Sequence, residues 1–296
     1  RFLRVIVEDG SEMTGYGSSL QGYLVEILGD ISSTGAVLDR ATFFQYMLSG
    51  AADPGSLAHD LSAVAQSGRR IRDRLSEDTR RVISGLEETL ANLRSEDPAE
   101  ISDELFRIIL LLTSLTGHLS ENMSREASYF FPRIGRRLER SLFLLRLLFA
   151  LSTDHRLDWW DLLFAILRIN DIAITYRRRY RNRMDARSVL DILIFDRTNP
   201  RSLMFQIDEI YSMSGELPGV DSGEKTIENK LALELYSRIH LMEIDSLFDS
   251  TGGLQPEMLR QFCLDCQNLL HRISDAISNR YFQYQERSQQ MEDLGA

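Results

Sequence analysis

The chain has 296 residues, of which 43% are hydrophobic and 26% charged, a composition typical of a globular protein with one large domain or two small ones. Its formal net charge of −10 disfavours non-specific binding to nucleic acid or to anionic lipid, since both would repel the chain. The sequence contains no apolar run of the roughly 18 residues that a membrane-spanning helix needs. We therefore expect neither a nucleic acid nor a membrane as a partner.

Helical periodicity dominates the sequence. The opening RFLRVIV is short and β-branched, but its place in an internal repeat favours the end of a helix. Asp53 and Asp97 each stand directly before a proline, so both are expected as helix N-caps. The other predicted helices are, in chain order, Ser19–Ile31, Ala41–Met47, Asp53–Leu75, Ser76–Leu93, Asp97–Leu119, Ser124–Leu151, Asp158–Asp171, Ala186–Phe195, Pro200–Met213, Gly223–Phe248 and Pro256–Tyr284.

The internal repeat organises these helices. The segment DPGSLAHDL at Asp53–Leu61 has the same pattern as NPRSLMFQI at Asn199–Ile207, with an offset of 146 residues (from 53 to 199). A short apolar helix and a longer one precede both segments, and two long helices follow both. We therefore predict an all-α fold, a pseudo-twofold helical bundle of about twelve helices built from two six-helix repeats. The predicted single domain spans 1–296, with repeat one at 1–121, repeat two at 122–286 and a tail at 287–296.

The longest predicted helix, Ser124–Leu151, carries arginines on one side of its first half and is apolar all round in its second half. Arg136 and Arg140 lie opposite its apolar face, yet the helix is expected to be central. A buried guanidinium needs a carboxylate nearby, and Glu139 is the candidate. Two interpretations stay open: a partly buried ion-pair network that fixes the helix register, or a carboxylate and guanidinium cluster that lines a cleft.

The same helix resembles a known family. The stretch MSREASYFFPRIGRRLER at Met123–Arg140 resembles the signature helix of the alpha-E family, a bacterial all-helical domain named for a recurring Glu-Arg motif. The pair Glu139-Arg140 matches that motif, and the segments YRR at 176–178 and PRSL at 200–203 also match the family. The candidate residues of the cleft or buried ion-pair network are Arg125, Glu126, Arg136, Glu139 and Arg140.

This resemblance implies partners more than chemistry. Alpha-E domains occur beside, or fused to, circularly permuted ATP-grasp ligases, transglutaminase-like proteins and the proteasome-like Anbu protein. The resemblance therefore implies a bacterial system that makes or modifies peptide amide bonds, with such proteins as partners. Because the chain begins at Arg1 and not at a methionine, we also expect it to be either trimmed or one domain of a longer polypeptide.

The densest basic segment is YRRRYRNRMDAR at Tyr176–Arg187, and repeat one has no equivalent of it. Arginines beside tyrosines suit a phosphate, a peptide carboxylate or an acidic partner surface. The alternative is a solvated arm whose charges balance nearby acids. The candidate residues for anion or partner binding are Tyr176, Arg177, Arg178, Arg179 and Arg201.

The remaining reactive side chains support no catalytic assignment. Cys263 and Cys266 form a CxxC inside a predicted helix, and we interpret them as structural thiols that fit a reducing cytoplasm. The five histidines lack metal-ligand spacing, so we predict no metal site and no cofactor. The glycines of Thr14–Gly22 match neither a dinucleotide-binding nor a P-loop pattern and are interpreted as a flexible loop.

Two functions follow as hypotheses. The first, which we favour, is a non-catalytic accessory or interaction module of a bacterial ATP-grasp or transglutaminase-type system for peptide synthesis or modification. The alternative is an enzyme of the same system that acts on a peptide carboxylate or phosphate in a cleft lined by Glu and Arg. A Glu139 in a pocket, with a raised pKa, would favour the enzyme, whereas a dry and fully paired Glu139 would favour the module.

Overall fold

A computed structural model of the chain describes residues 1, 3–7, 24–25, 27, 40–50, 52–92, 97–153, 159–181, 185–219 and 225–282. Within these residues the α-helices are α1 at Arg40–Ser49, α2 at Leu57–Arg70, α3 at Glu77–Asn92, α4 at Pro98–Asn122, α5 at Ala127–Thr153, α6 at Trp159–Ile169, α7 at Ala173–Tyr180, α8 at Ala186–Leu190, α9 at Leu203–Ser214, α10 at Ile227–His240 and α11 at Pro256–Tyr281. Residues 3–7 are also helical, as predicted for the opening segment.

Shorter helical turns complete the secondary structure. A turn of 3-10 helix lies at Arg72–Arg74 and another at Ile244–Leu247, and a π-helical turn at Asp191–Phe195 continues α8. The described residues contain no β-structure apart from one isolated bridge between Phe248 and Leu254. The chain is therefore all-α, and this part of the predicted fold is confirmed.

The two repeated segments begin their helices three residues later than predicted. Ser56 caps α2 and Ser202 caps α9, and each hydroxyl accepts a hydrogen bond from the third amide of its helix, at 3.0 and 3.1 Å. Each hydroxyl also donates to the carbonyl six residues earlier, that of Gly50 or Asp196, at 2.5 Å. The expectation that Asp53 and Pro200 mark helix starts was wrong, because the buried serine satisfies two backbone groups at once.

Other boundaries follow the sequence signals to different degrees. Asp97 caps α4 through its carboxylate, which accepts from the amide of Ala99 at 2.9 Å, as predicted from the Asp-Pro pair. The helix predicted at Gly223–Phe248 was too long, since α10 ends at His240 and a separate 3-10 turn follows. The predicted helix at Ser19–Ile31 and the predicted loop at Thr14–Gly22 fall largely or wholly outside the described residues.

The chain is divided into two compact units. Unit 1 consists of Arg1–Ser124 and Arg156–Ile174, and unit 2 consists of Arg125–His155 and Thr175–Ala296. Neither unit is a continuous segment, because the chain leaves unit 1 to form α5 and then returns to it for α6. The predicted single domain and its repeat boundaries remain a prediction.

Helix α5 is the centre of unit 2. It packs against α9 and α11, and α10 packs against the same two helices. Most of the second half of α5 is buried, as its largely apolar sequence predicts: Leu144, Leu145, Leu147 and Leu148 are all at most 1% exposed, whereas Arg146 is half-buried. Because the first half of the same helix carries the arginines, α5 holds these charged side chains at the edge of an apolar core.

Candidate anion-binding site

The first half of α5 and the start of α9 bring a buried arginine against a polar pair. Arg137 is only 7% exposed and donates to the side-chain oxygen of Gln206 at 3.0 Å and to Glu209 Oε2 at 3.1 Å. Gln206 is itself buried and donates to the carbonyl of Pro200 at 2.6 Å. Gln206 and Glu209 are one turn apart on α9, so both face α5.

A second arginine reaches the same carboxylate. Arg133 lies one turn before Arg137 on α5 and donates to Glu209 Oε2 at 3.4 Å and to the hydroxyl of Tyr129. Its guanidinium carbon is 4.8 Å from the centre of the Tyr129 ring, and that of Arg125 is 4.3 Å from the same centre. Two cations therefore stack on one aromatic ring, which is electrostatically favourable for each of them separately.

Arg136 and Arg201 add further positive charge. The pKa of Arg136 is lowered, first by burial and then by the charges of Arg137 and Arg201, and Glu209 opposes this lowering. Burial also lowers the pKa of Arg137, against the effect of Glu209. The potential at Arg136 is therefore positive, although a carboxylate lies in the cluster. We call Arg133, Arg136, Arg137 and Arg201 the arginine cluster.

Several N–H donors of Arg133, Arg136 and Arg137 have no hydrogen-bond acceptor among the described residues. Arg136 forms no hydrogen bond or ion pair with another described residue, and the Nε atoms of Arg133 and Arg137 are buried without a partner there. Guanidinium groups offer planar, forked donors that match carboxylate and phosphate oxygens. The cluster therefore has both the charge and the donors to hold an anionic group.

The Glu139-Arg140 pair lies beside the cluster in sequence, but Glu139 is exposed and Arg140 is half-buried. Glu139 forms no ion pair with another described residue, so it is not the carboxylate that neutralises the arginines of α5. Of the other candidates for the cleft or ion-pair network, Arg125 and Glu126 are exposed, and only Arg136 belongs to the arginine cluster.

The family comparison connects this helix to known sequences. Residues 1–282 match the Alpha-E family, described as a predicted alpha-helical domain with a conserved ER motif. The chain belongs to the Alpha-E family. The resemblance of its longest helix to that family is therefore confirmed, and Glu139-Arg140 is the only Glu-Arg pair within the matched residues.

The Alpha-E chain also has curated relatives. An uncharacterized protein of Mycobacterium bovis and one of Mycobacterium tuberculosis are each 29% identical to it over 215 residues. This alignment covers 69% of the chain but 24% of each relative, so the chain spans about a quarter of the length of the relatives it matches. A comparison with solved structures finds none that matches.

The basic segment of the Alpha-E chain is less open than the sequence indicates. Tyr176 is fully buried in α7, and its ring centre is 5.0 Å from that of Tyr180. Arg179 forms an ion pair of 2.5 Å with Asp196, whose side chain is 6% exposed. Arg177 and Arg178 are exposed. The segment is therefore anchored by Tyr176 and Arg179, and only part of it can meet a partner.

Tyr180 belongs to the same anchor. Its hydroxyl donates to Asp191, and the pKa of Tyr180 is raised by burial, by this hydrogen bond and by the charge of Asp191, while Arg179 opposes the rise. Asp196 also accepts from the amide and hydroxyl of Thr198, at 2.9 and 2.7 Å. These contacts fix the end of α7 to the loop that precedes α9.

The two cysteines lie inside the core of unit 2. Cys263 and Cys266 are free, fully buried thiols within α11, so their interpretation as structural thiols is confirmed. Burial raises the pKa of both, that of Cys266 to about 12, which keeps them protonated and unreactive.

Neither α11 nor any other described helix has the length and hydropathy to cross a membrane.

Sequence reasoning found Arg136 and Arg201 of this site but missed Arg133, Arg137 and their partners. Gln206 and Glu209 were not predicted, because a polar residue in one helix does not say which helix it faces. A signal was present, however: Gln206 stands between Leu203 and Ile210 on the apolar side of α9. A polar side chain at such a position needs a buried hydrogen-bond partner.

Proposed function

We propose that this Alpha-E chain is a non-catalytic accessory module that holds an anionic group on its arginine cluster. The anion is a peptide carboxylate or an acidic side chain on a partner protein. The observation that carries the proposal is Arg136, a half-buried guanidinium at a positive potential whose donors are unused within the described residues. An incoming carboxylate would supply the charge compensation and acceptors that Glu209 alone provides only in part.

The system in which the module acts is proposed from the family. We infer a bacterial, cytoplasmic system of the ATP-grasp or transglutaminase type that synthesises or modifies peptides. The partner is an ATP-grasp ligase, a transglutaminase-like protein or an Anbu-type proteasome-like protein. In support, the chain corresponds to about a quarter of its curated relatives, as expected for one module of a larger assembly.

The arrangement of the fold is proposed at the same level. We infer two six-helix repeats related by a pseudo-twofold axis, because Ser56 and Ser202 make the same hydrogen bonds 146 residues apart (from 56 to 202). The amide of each serine also donates to the residue three before it, Asp53 at 3.2 Å or Asn199 at 3.0 Å. The arginine cluster departs from this symmetry, since the positions equivalent to Arg201, Gln206 and Glu209 hold Gly55, Asp60 and Ala63.

The alternative function, an enzyme acting in a cleft lined by Glu and Arg, has one observation in its favour. The pKa of Arg136 is lowered, and arginines at positive potential can stabilise developing negative charge on a carboxylate or phosphate. Glu139, however, is exposed and forms no ion pair with another described residue, so it is not the dry, fully paired carboxylate that would favour the module. The module is the simpler proposal, because it requires only binding.

The first test is binding of an acidic peptide, measured by fluorescence anisotropy with a free C-terminal carboxylate and with an amidated end. We expect Arg136→Gln and Arg201→Gln each to weaken binding of the free-acid peptide by about tenfold, the equivalent of one charge-assisted contact. Arg74→Gln is the matched control, since it removes the same charge from an exposed side chain of unit 1. Equal loss in all three variants would show that only net charge matters and would sink the proposed site.

The second test identifies the partner. The tagged chain is used to capture proteins from a native bacterium, and mass spectrometry compares wild type with Arg136→Gln and with the double variant Arg177→Ala/Arg178→Ala. Arg179 is left intact, because its ion pair with Asp196 makes it part of the fold. Capture of an ATP-grasp, transglutaminase-like or Anbu-type protein that is lost with Arg136→Gln supports the module, and turnover of a peptide by the chain alone would instead establish the enzyme.

A further inference from the structure

Unit 1 contains a groove of about 700 Å³ between α2, the following 3-10 turn and α3. Its wall includes Arg69, Arg72, Arg80 and Arg81, which come from three consecutive elements. A groove of this volume lies within the range of small-molecule sites in proteins. We call it the α2–α3 groove.

Helices α2 and α3 pack closely against each other beside the groove. Gly68 of α2 lies against Ile83 of α3 so tightly that a Cβ on Gly68 would be 2.6 Å from Ile83 Cδ1. The two helices therefore meet at this point without side chains of α2 between them. Ile83 lines the groove itself.

Two of the four arginines are already neutralised. Arg69 forms an ion pair with Glu87 at 2.6 Å, and Arg81 forms one with Glu77 at 2.5 Å. Both pairs join side chains that are at least 39% exposed, so solvent screens them and they contribute little to stability.

The other two arginines of the groove, Arg72 and Arg80, are not paired with a carboxylate of another described residue. Neither Arg72 nor Arg80 forms an ion pair or hydrogen bond with another described residue, and the Nε of Arg80 is buried without a partner in that part of the chain. Glu88 is the remaining acid in the lining, and it is exposed. A buried donor without an acceptor is unfavourable, and an anion in the groove would supply acceptors to both guanidinium groups.

We propose that the α2–α3 groove binds a small polyanion, whose phosphate or carboxylate groups are held by Arg72 and Arg80. Arg69 and Arg81 line the same groove and their exposed ion pairs are weak, so a ligand with more than one anionic group can replace the glutamates and contact these arginines as well. This site goes beyond the function proposed for the arginine cluster. It lies in the other compact unit, so the two proposals can be tested separately.

The test uses the δ1 methyl group of Ile83 as a local reporter in NMR spectra of the full chain. Pyrophosphate and citrate are titrated separately at constant ionic strength, and the methyl of Ile207 on α9 reports on the other unit. We expect at least one anion to shift the Ile83 signal saturably. Pyrophosphate alone would identify phosphate as the recognised group, citrate alone would identify carboxylate, and a response to both would show that either group suffices.

Variants decide whether the arginines are responsible. Arg72→Gln and Arg80→Gln should each weaken the binding seen at Ile83 by about tenfold, whereas Arg74→Gln, in the same 3-10 turn but outside the lining, should change it less than about twofold. Arg80→Lys keeps the positive charge but loses the planar, forked guanidinium, so its loss of binding should lie between about twofold and about tenfold. This variant shows whether the loss in Arg80→Gln comes from misfolding. An Ile83 signal that neither anion moves in the wild type, or an equal effect of Arg74→Gln, would overturn the proposal.

Discussion

Arg137 shows how a charged side chain can lie within a helical core. The buried guanidinium of Arg137 loses its hydrogen bonds to water, and the hydrogen bonds to Gln206 and Glu209 replace part of them. Arg136, its neighbour, forms no such hydrogen bond with another described residue, and burial and the charge of Arg137 both lower its pKa. The two residues are adjacent in sequence, yet one is a structural cation and the other is available to an anion.

This difference predicts opposite effects on stability. Glu209→Gln leaves the buried charge of Arg137 without its carboxylate and should lower the free energy of unfolding by about 2 kcal/mol. Arg136→Met keeps the apolar stem and removes a repelled charge, so it should leave that free energy unchanged or raise it by up to about 0.5 kcal/mol. Urea unfolding of both variants beside the wild type measures these changes. A larger loss for Arg136→Met than for Glu209→Gln would contradict the assignment of the two arginines.

The buried thiols predict a fall in stability at alkaline pH. Burial raises the folded pKa of Cys266 from the ordinary 9.0 to about 12, and it raises that of Cys263 as well. The neutral thiols therefore contribute stability that is fully present below about pH 9, and this contribution is lost as the pH rises towards about 12. At pH 10 the loss is about 1.4 kcal/mol for each thiol, because essentially only the unfolded chain ionises there.

The double variant Cys263→Ala/Cys266→Ala isolates this contribution. It will be less stable than wild type at pH 8, since two side chains of the core become smaller. Between pH 8 and pH 10, however, it should lose about 2.7 kcal/mol less than the wild type, measured by urea unfolding under reducing conditions. Raised tyrosine pKa values affect both proteins equally. Parallel pH profiles would mean that the thiols do not titrate differently in the folded and unfolded chains.

Ser56 and Ser202 are expected to stabilise their helices more than an ordinary N-cap serine does. Each is fully buried and forms hydrogen bonds with two backbone groups. Ser76 is a natural comparison: at the start of α3 it accepts from the amide of Thr79 at 3.2 Å, but it is exposed and its second hydrogen bond, at 2.8 Å, is to the Thr79 hydroxyl and not to a backbone carbonyl. We expect Ser56→Ala and Ser202→Ala each to lower the free energy of unfolding by about 2 kcal/mol, and Ser76→Ala by about 1 kcal/mol. Chemical unfolding of the three variants measures this, and equal losses would show that the second hydrogen bond contributes nothing.

The same caps explain where prediction of the helices succeeded and where it failed. Apolar periodicity predicts the described α-helices except α7, whose basic sequence was interpreted as an arm, and the Asp97 cap follows from local chemistry alone. The residue at which α2 starts cannot be predicted from local chemistry alone, because Asp-Pro at 53–54 and Ser56 both offer an N-cap within four residues. Ser56 is used since Gly55 adopts a φ of +91°, which breaks the helix before it, and since the Gly50 carbonyl is within reach of the serine.

Prediction of the candidate site was limited by pairing between distant segments. Arg136 and Arg201 were assigned to different candidate sets, and the fold brings their charges together because α5 packs on α9. The role of Glu209 depends on the rotation of α9 about its axis, which periodicity fixes only to within about one residue position. A helix that is apolar on most of its surface gives no further indication, so the carboxylate opposite α5 had to come from the tertiary structure.

The division of the chain into two interleaved units leads to a prediction for the whole molecule. Unit 1 is completed only by residues 156–174, which follow α5 of unit 2 in the chain. Neither unit can therefore form from a continuous segment, and we expect the chain to unfold in one cooperative transition. Ser56→Ala in unit 1 and Ser202→Ala in unit 2 should shift that transition to the same extent, whether it is followed by circular dichroism or by the methyl signals of Ile83 and Ile207. If instead each variant shifts only the signal of its own unit, the units unfold independently, and the predicted single domain would have to be replaced by two.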